Sequence, residues 1–546
     1  MGMAKIFGSS YTEELLRLDG TQFQVGDRIY CDQHRATIRF IGKVPPTNGV
    51  WLGVEWDNPA RGKHNGSHEG KQYFHTSHPK SGSFIRPNKA QGGINAIQAV
   101  KLRYGLKNDQ NGGVDAKELF VLDHNNQQTQ VEMVGARKVN LLQSQFSRLK
   151  SITMFDLQVH SGGLDGEFGA MCPIVTHLDV ARNLLPSWEL VANMAKQLRC
   201  LKDLNVSDNR LTLPKDPTSL SSCFGKLTNA TMNKMNMTWK EILTVCSMFP
   251  MLEELHVGFN NLVELADSAH VFNCLKRLDV MTNSIQDWAE VLKLGSLPML
   301  ETLIISENKV QTIFFPDCSA REKSQSFGSL KSLIIKKNSI SDWSSINELN
   351  KLKQLEELQL SGNPIVNSFK YETVRQLLIA KIGSLKLIDR TPITFEERKG
   401  AEIDYLKRYG KDWKNVGGSS DPAKNKPSQL FVEQHPRFQI MCDKWGAPED
   451  SEFEEKSSAL KESLLAVKIV SSEHPGKGEL QKKLPATMTI EKLKTLIQRM
   501  FKMNTEPILT YSSSKKSNGP RIPLDHDMRQ LGYFSIESSD TIHVCW

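Results

Sequence analysis

The middle of the chain repeats itself, and the repeat leaves few folds open. Seven segments share the pattern apolar-x-x-Leu-x-apolar-x-x-Asn-x-apolar, with asparagines at Asn183, Asn209, Asn260, Asn283, Asn308, Asn338 and Asn363. Successive asparagines lie 26, 51, 23, 25, 30 and 25 residues apart. The 51-residue step spans two units, because a degenerate copy (Leu227, Ala230, Met232, Met237) sits inside it with Met235 at the asparagine position. A weaker copy begins near Leu149, with Ile152, Met154 and Val159. One such unit cannot bury its apolar face alone, so neighbours must stack into a solenoid. The asparagine, carrying both donor and acceptor, is predicted to satisfy backbone groups that each turn leaves unpaired.

These units are leucine-rich repeats. Trp188, Trp288 and Trp343 each follow their asparagine by five residues, which predicts packing on the convex side. The longest unit holds Phe314-Phe315-Pro316 and a polar stretch to Ser329, part of which is expected to loop out. Asp179, Asn205, His256 and Asp279 fall between inward positions and are expected on the concave strand surface. After Leu385–Asp389, the segment from Ile393 through Leu406 reads as the cap that covers the last apolar face.

Ahead of the repeats, glycine-marked turns separate short strand-like runs: Val25-Gly26-Asp27-Arg28, Gly49 through Asp57, Gly62-Lys63-His64-Asn65-Gly66, and Gly82 through Pro87. This spacing predicts a small all-β barrel. A turn with a lysine, an imidazole and an amide between two glycines can offer backbone N–H groups and a cation to a carboxylate. The stretch resembles a CAP-Gly domain, a module that grips acidic, aromatic-ended tails. Its loop differs from the usual Gly-Lys-Asn-Asp-Gly at His64 and Asn65.

The last part of the chain changes character. Strand-like runs at Leu464–Val470, Glu479–Leu484, Ile508–Tyr511 and Thr541–Val544 enclose a helical pattern from Thr489 to Lys502. This order resembles a ubiquitin-like α+β grasp domain, without a terminal Gly-Gly for conjugation. The expected organisation is thus a multidomain chain: CAP-Gly barrel 20–90, linker 91–147, α/β leucine-rich repeat solenoid with C-terminal cap 148–410, linker 411–460 (with room for a helix around Phe431, Trp445 and Phe453) and ubiquitin-like domain 461–546.

Composition excludes more than it selects. A length of 546 residues allows about three or four domains. The net charge of +8 comes without blocks of like charge, so no nucleic-acid partner is expected. Between Gly20 and Ala90, ten Lys/Arg face five Asp/Glu, a local basic bias suited to an acidic ligand. The nine cysteines are scattered with no C-x-x-C pair, which favours reduced thiols over zinc or disulfides. No run approaches the ~20 apolar residues of a membrane span, and no signal-peptide core is seen, so a cytoplasmic location is expected. No phosphate loop or nucleophile elbow occurs. His68-Glu69 has Gln72 where a second metal-binding histidine would stand, and Cys31 and His34 have no third ligand. No enzyme activity, cofactor or metal is expected.

The three modules in this order resemble the tubulin-specific chaperone E family, also called tubulin-folding cofactor E, over nearly the whole chain. The resemblance implies a cytoskeleton-associated monomer that binds α-tubulin and acts with tubulin-folding cofactors B, C and D to assemble and dissociate the α/β heterodimer. Proteasome or ubiquitin-pathway proteins are further candidate partners of the ubiquitin-like domain. For the tubulin tail, the expected contacts are Lys63, His64 and Asn65 in the loop, Trp56, Phe74 and Phe84 as aromatic walls, and Arg86 as a second cation, with Trp51 either a wall or core. Gly53, Gly62 and Gly66 are expected to shape the loop, through positive φ. The alternative reading is a microtubule plus-end adaptor, which usually dimerises through heptads that this chain lacks.

Overall fold

The computed structural model describes residues 22–106, 120–122, 128–130, 136–448, 464–471, 473, 479–503, 505–513 and 521–546. Two compact units emerge, one ending at Pro448 and one beginning at Glu449.

The first unit opens with an antiparallel sheet in the order Arg28–Cys31, His34–Lys43, Val50–Trp56, Gly82–Ile85. Side chains alternate across it. Ile29, Ala36, Ile38, Leu52, Val54 and Trp56 point inward and are buried together.

The repeats build an eleven-stranded sheet from Ser151–Thr153 to Thr391–Pro392, parallel except for the last pair. Each three-residue strand turns its central side chain inward, as with Leu178, Leu204, Ala230, Leu255, Leu278, Leu303, Leu333 and Leu358. Burying one leucine this fully is worth roughly 1.5–3 kcal/mol, so a stack of them drives the fold. The asparagines form the expected ladder. Asn209 Nδ2 donates to Val180 O (2.9 Å) and Val206 O (3.0 Å), while its Oδ1 accepts from Asn183 N (2.9 Å). The two donations recur at Asn260, Asn283, Asn308, Asn338 and Asn363. Oδ1 accepts from the same position of the preceding unit at Asn260 and Asn283, and from two residues further on (Ile285 N, Val310 N and Ile340 N) at Asn308, Asn338 and Asn363. Met235 interrupts it with a buried thioether. The copy near Leu149 is a true first rung, with Ile152, Met154 and Val159 fully buried.

Trp188 and Trp288 start helices and are buried, whereas Trp343 is only half covered and packs near Phe369. In the long unit, Phe315 returns to the core against Trp288 and Phe327, while Phe314 and most of the polar stretch stay exposed.

Both stretches expected to be linkers contain packed structure. Ile94–Asn95 pairs in parallel with Val159–Ser161, and the helix Ala96–Tyr104 lays Ala96, Ile97, Ala99 and Val100 on the first repeats. Asn95 caps it with a reciprocal bond to Gln98, and Tyr104 Oη accepts from Thr153 N at 2.8 Å. This is the N-terminal cap that an open solenoid face requires. It escaped the repeat pattern because its apolar residues follow a helical period. At the other end, the helix Phe395–Asn415 is followed by Gln429–Gln434 and Phe438–Trp445, which fold back around Tyr405, Leu406 and Trp413. Fully buried Glu402 accepts from Arg437 (2.7 Å), Trp445 Nε1 (2.8 Å) and Lys444 (3.0 Å). Phe453 lies outside the described residues.

The second unit is a five-stranded sheet ordered Leu480–Pro485, Leu464–Ser471, Thr541–Cys545, Ile508–Ser512, Ile522–Pro523, with the helix Ile490–Phe501 packed on it. The strands Leu464–Ser471 and Thr541–Cys545 lie side by side and run parallel, as a β-grasp demands.

Candidate functional site: an aromatic patch under the Gly62–Gly66 loop

One face of the small barrel is aromatic because glycines make room for it. Phe40, Gly53 and Phe84 sit side by side across three strands, and Gly42 pairs with Trp51. A Cβ on Gly53 would lie 2.4 Å from the Phe74 ring and 2.9 Å from Phe40 Cβ. Glycine therefore lets the Phe74 ring pack directly on the strand, and close approach, not the expected positive φ, is what Gly53 provides. Gly62 likewise permits a close approach, since a Cβ there would meet Lys80 O at 2.1 Å. Its φ is −74°, so close approach is its reason and not the expected left-handed backbone. Gly66 needs both, with φ +98° and Phe74 O at 2.0 Å from a Cβ.

Phe84 is the centre of the patch. Its ring centroid lies 5.1 Å from His64, 5.4 Å from Phe74, 5.6 Å from Tyr73, 6.2 Å from His68 and 6.3 Å from Phe40. Phe74 is buried as the floor, and the other rings are half-buried. Lys63 and Asn65 stand at the rim, and Lys71 Nζ lies 5.2 Å over the Tyr73 ring. The segment bearing Tyr73 and Phe74 is tied down by Glu55, which accepts from Ser77 N (2.7 Å) and Arg39 Nε (2.8 Å). Burial alone would raise the Glu55 carboxyl, but those bonds hold it below its ordinary range.

Two expected contacts are placed elsewhere. Trp56 pairs with Ala36 on the inner face, is 3% exposed and belongs to the barrel core, with Arg61 4.5 Å over its ring. An odd-numbered position on that strand faces the patch and an even one the core, and Trp56 is even. Arg86 is committed to the turn before it: Nη1 donates to Asn48 O (2.8 Å) and Val50 O (3.3 Å), and the guanidinium lies 3.7 Å over Trp51. Trp51 is thus on the patch face, stacked at its edge. Phe40 and Tyr73 join the patch without having been singled out, and His68, weighed above only as a metal ligand, joins it as a ring. Tyr73-Phe74, an aromatic pair after a glycine turn, was the available signal for the second.

The concave residues line up as expected, Asp179, Asn205, His256 and Asp279 sharing one row of the sheet. Asp179, Asn205 and Asp279 accept from the backbone N–H two residues on, and His256 Nδ1 lies 3.2 Å from Asp279 Oδ2. Among the described residues, no group of three His, Cys, Asp or Glu side chains is placed to hold a metal. No described helix is long and apolar enough to cross a membrane.

The glycine-shaped aromatic patch with its cationic rim defines a CAP-Gly domain, and residues 25–90 match that family. It stands at the head of a leucine-rich repeat solenoid in a chain that also carries a ubiquitin-like domain. Over 521 residues, the chain is 41% identical to "Tubulin-specific chaperone E" of Xenopus laevis, covering 95% of this chain and 98% of that one. The Homo sapiens protein of the same name is 40% identical over 524 residues, 96% of this chain and 98% of its own. The chain belongs to the tubulin-specific chaperone E family. Among solved structures, the C-terminal ubiquitin-like domain of mouse tubulin-specific chaperone e is 38% identical over 16% of this chain and 93% of that one, at a TM-score of 0.15.

Proposed function

We propose that this protein is a tubulin-folding chaperone that holds α-tubulin by its acidic, aromatic-ended tail on the CAP-Gly patch and by its body on the solenoid. With tubulin-folding cofactors B, C and D, it assembles and dissociates the α/β heterodimer. The observation that supports this most is the Phe84-centred patch rimmed by Lys63 and Lys71. An aromatic side chain stacks on Phe84 and Tyr73, while the acidic residues before it meet the cations. The two binding surfaces belong to one chain, so the second engages at high effective concentration. Binding energy gained against one tubulin subunit then offsets the interface that this subunit gives up with the other.

The test is size-exclusion chromatography of tubulin heterodimer with this protein and cofactor B, comparing wild type with Lys63→Ala and Phe84→Ala. A complex with α-tubulin and release of β-tubulin, both abolished in the variants, is the expected result. Intact heterodimer throughout, with the protein co-sedimenting on polymerised microtubules, would replace the proposal with a plus-end adaptor.

A further inference from the structure

We infer that the Gly62–Gly66 loop locks His64 as the neutral Nε2–H tautomer, so that it presents one fixed hydrogen-bond donor to a carboxylate bound on the aromatic patch. The lock itself is a property of the free protein. The identity of the acceptor rests on the tail-binding proposal.

The geometry leaves one arrangement. Gly66 N lies 3.0 Å from His64 Nδ1. A backbone amide can only donate, so Nδ1 must offer its lone pair. A neutral imidazole has a single N–H, which then sits on Nε2. The amide cannot swing away. Gly66 O accepts from Tyr73 N at 3.0 Å, and its φ of +98° is wedged against Phe74 O. His64 is clamped too, its N donating to Gly82 O (3.2 Å) and its O accepting from Gly82 N (2.7 Å). The ring rests on Phe84 at 5.1 Å and meets Phe74 edge-on at 6.1 Å.

A second proton would set an imidazolium N–H against the Gly66 N–H. The charged or titratable neighbours, Lys63 on the same loop and His68 from the Ser67–His68 strand, oppose that proton as well, and the phenyl faces of Phe74 and Phe84 bring no anion. Burial first, then these two neighbours, hold the His64 pKa below the ordinary histidine range. Nε2 makes no hydrogen bond to a described residue. Asn65 turns its acceptor to the loop: its Oδ1 accepts from Ser67 N (3.3 Å) and Ser67 Oγ (2.8 Å), closing the turn. The imidazole thus does what a carboxamide would do, with an acceptor turned to the loop and a donor turned to the ligand.

The experiment is NMR of the full chain labelled with 15N-histidine, His64 being assigned by its disappearance in His64→Asn. At neutral pH, a pyridine-type Nδ1 and a pyrrole-type Nε2 are expected; the opposite tautomer, or fast exchange between the two, overturns the lock. A synthetic peptide with an acidic stretch and a C-terminal tyrosine is then added. A shift confined to Nε2–H supports the donor role, and binding that leaves Nε2 unmoved overturns it. His64→Phe keeps the ring stack but removes both functions, and should weaken the peptide about tenfold or more. His64→Asn restores acceptor and donor and should stay within about threefold of wild type. Equal losses in the two variants would overturn the carboxamide analogy. If wild type binds no peptide while its tautomer is as stated, the tail-binding proposal and the donor role fall and the lock stands.

Discussion

Arg35 of the barrel and Asp208 of the solenoid, 173 positions apart, are joined by two bonds: Nη1 donates to Asp208 O at 2.7 Å and Nη2 to its carboxylate at 2.8 Å. Arg210 reaches back the other way, donating to Asp57 O at 3.0 Å, and Asp57 is itself held by buried Arg28. Arg182 lies between Asp156 (3.4 Å) and Asp208 (3.9 Å), extending the charge row along the repeats. The CAP-Gly domain is mounted on the solenoid through these bonds, in addition to the cap helix that connects them.

Arg35→Ala combined with Arg210→Ala should therefore separate two kinds of affinity. The Arg35–Asp208 pair is partly exposed, so each loss costs only about 1 kcal/mol of stability. A short acidic peptide should bind as before. A folded partner that touches barrel and solenoid together should bind roughly tenfold more weakly, because effective concentration falls when the mount loosens. Isothermal titration with both ligands checks this, and equal losses for peptide and folded partner would refute it.

The glycines of the patch should fail in different ways. Gly66→Ala meets a left-handed φ and a backbone oxygen at once, and should cost about 3 kcal/mol or more of domain stability. Gly53→Ala meets mainly the Phe74 ring, which can tilt. It should leave the melting transition closer to wild type while reducing peptide affinity. Calorimetric melting read beside peptide titration distinguishes them.

Asn209→Ala should be among the most damaging substitutions in the solenoid. The side chain is fully buried and serves Val180 O, Val206 O and Asn183 N, so its removal strands groups on two adjacent turns. The expected cost is about 2–4 kcal/mol. Chemical denaturation measures it, and a loss below about 1 kcal/mol would show that water replaces the ladder.

Acid should weaken the C-terminal cap near its histidine. His435 stacks on Phe431 at 4.4 Å, and its Nδ1 lies 2.6 Å from Tyr405 Oη. Burial, followed by the nearby Lys381 charge, pushes its pKa down to about 3. The unfolded chain takes up the proton near pH 6.5 and the folded one resists it, so stability falls as pH drops from about 6.5 towards 3, by roughly 2 kcal/mol at pH 5. Glu402 acts in the same direction at lower pH. Burial opposes its ionisation, but bonds from Arg437, Trp445 and Lys444 lower its pKa, and that stability is lost as the carboxylate protonates. His435→Phe should flatten the pH dependence between 5 and 7, as read by hydrogen exchange across 395–445; an unchanged slope would show that another group carries it.

Much of this protein is local in origin and therefore legible in the chain. A period near 25 residues determined the stacked strands, and the asparagine of seven units determined the ladder, because each unit meets its neighbours in the same register. The glycine spacing likewise marked the Gly62–Gly66 loop. The tertiary structure decided which side of a strand each aromatic faces. Trp56 and Phe84 look alike as aromatic positions, yet a one-residue difference in strand parity sends Trp56 to the core and leaves Phe84 on the patch. It also decided the N-terminal cap helix and the helices of 429–445 that complete the C-terminal cap, whose apolar residues carry no repeat period, and the Arg35–Asp208 mount. A charge pair separated by 173 positions has no periodic signal, since only the folded path of the chain brings its two ends together.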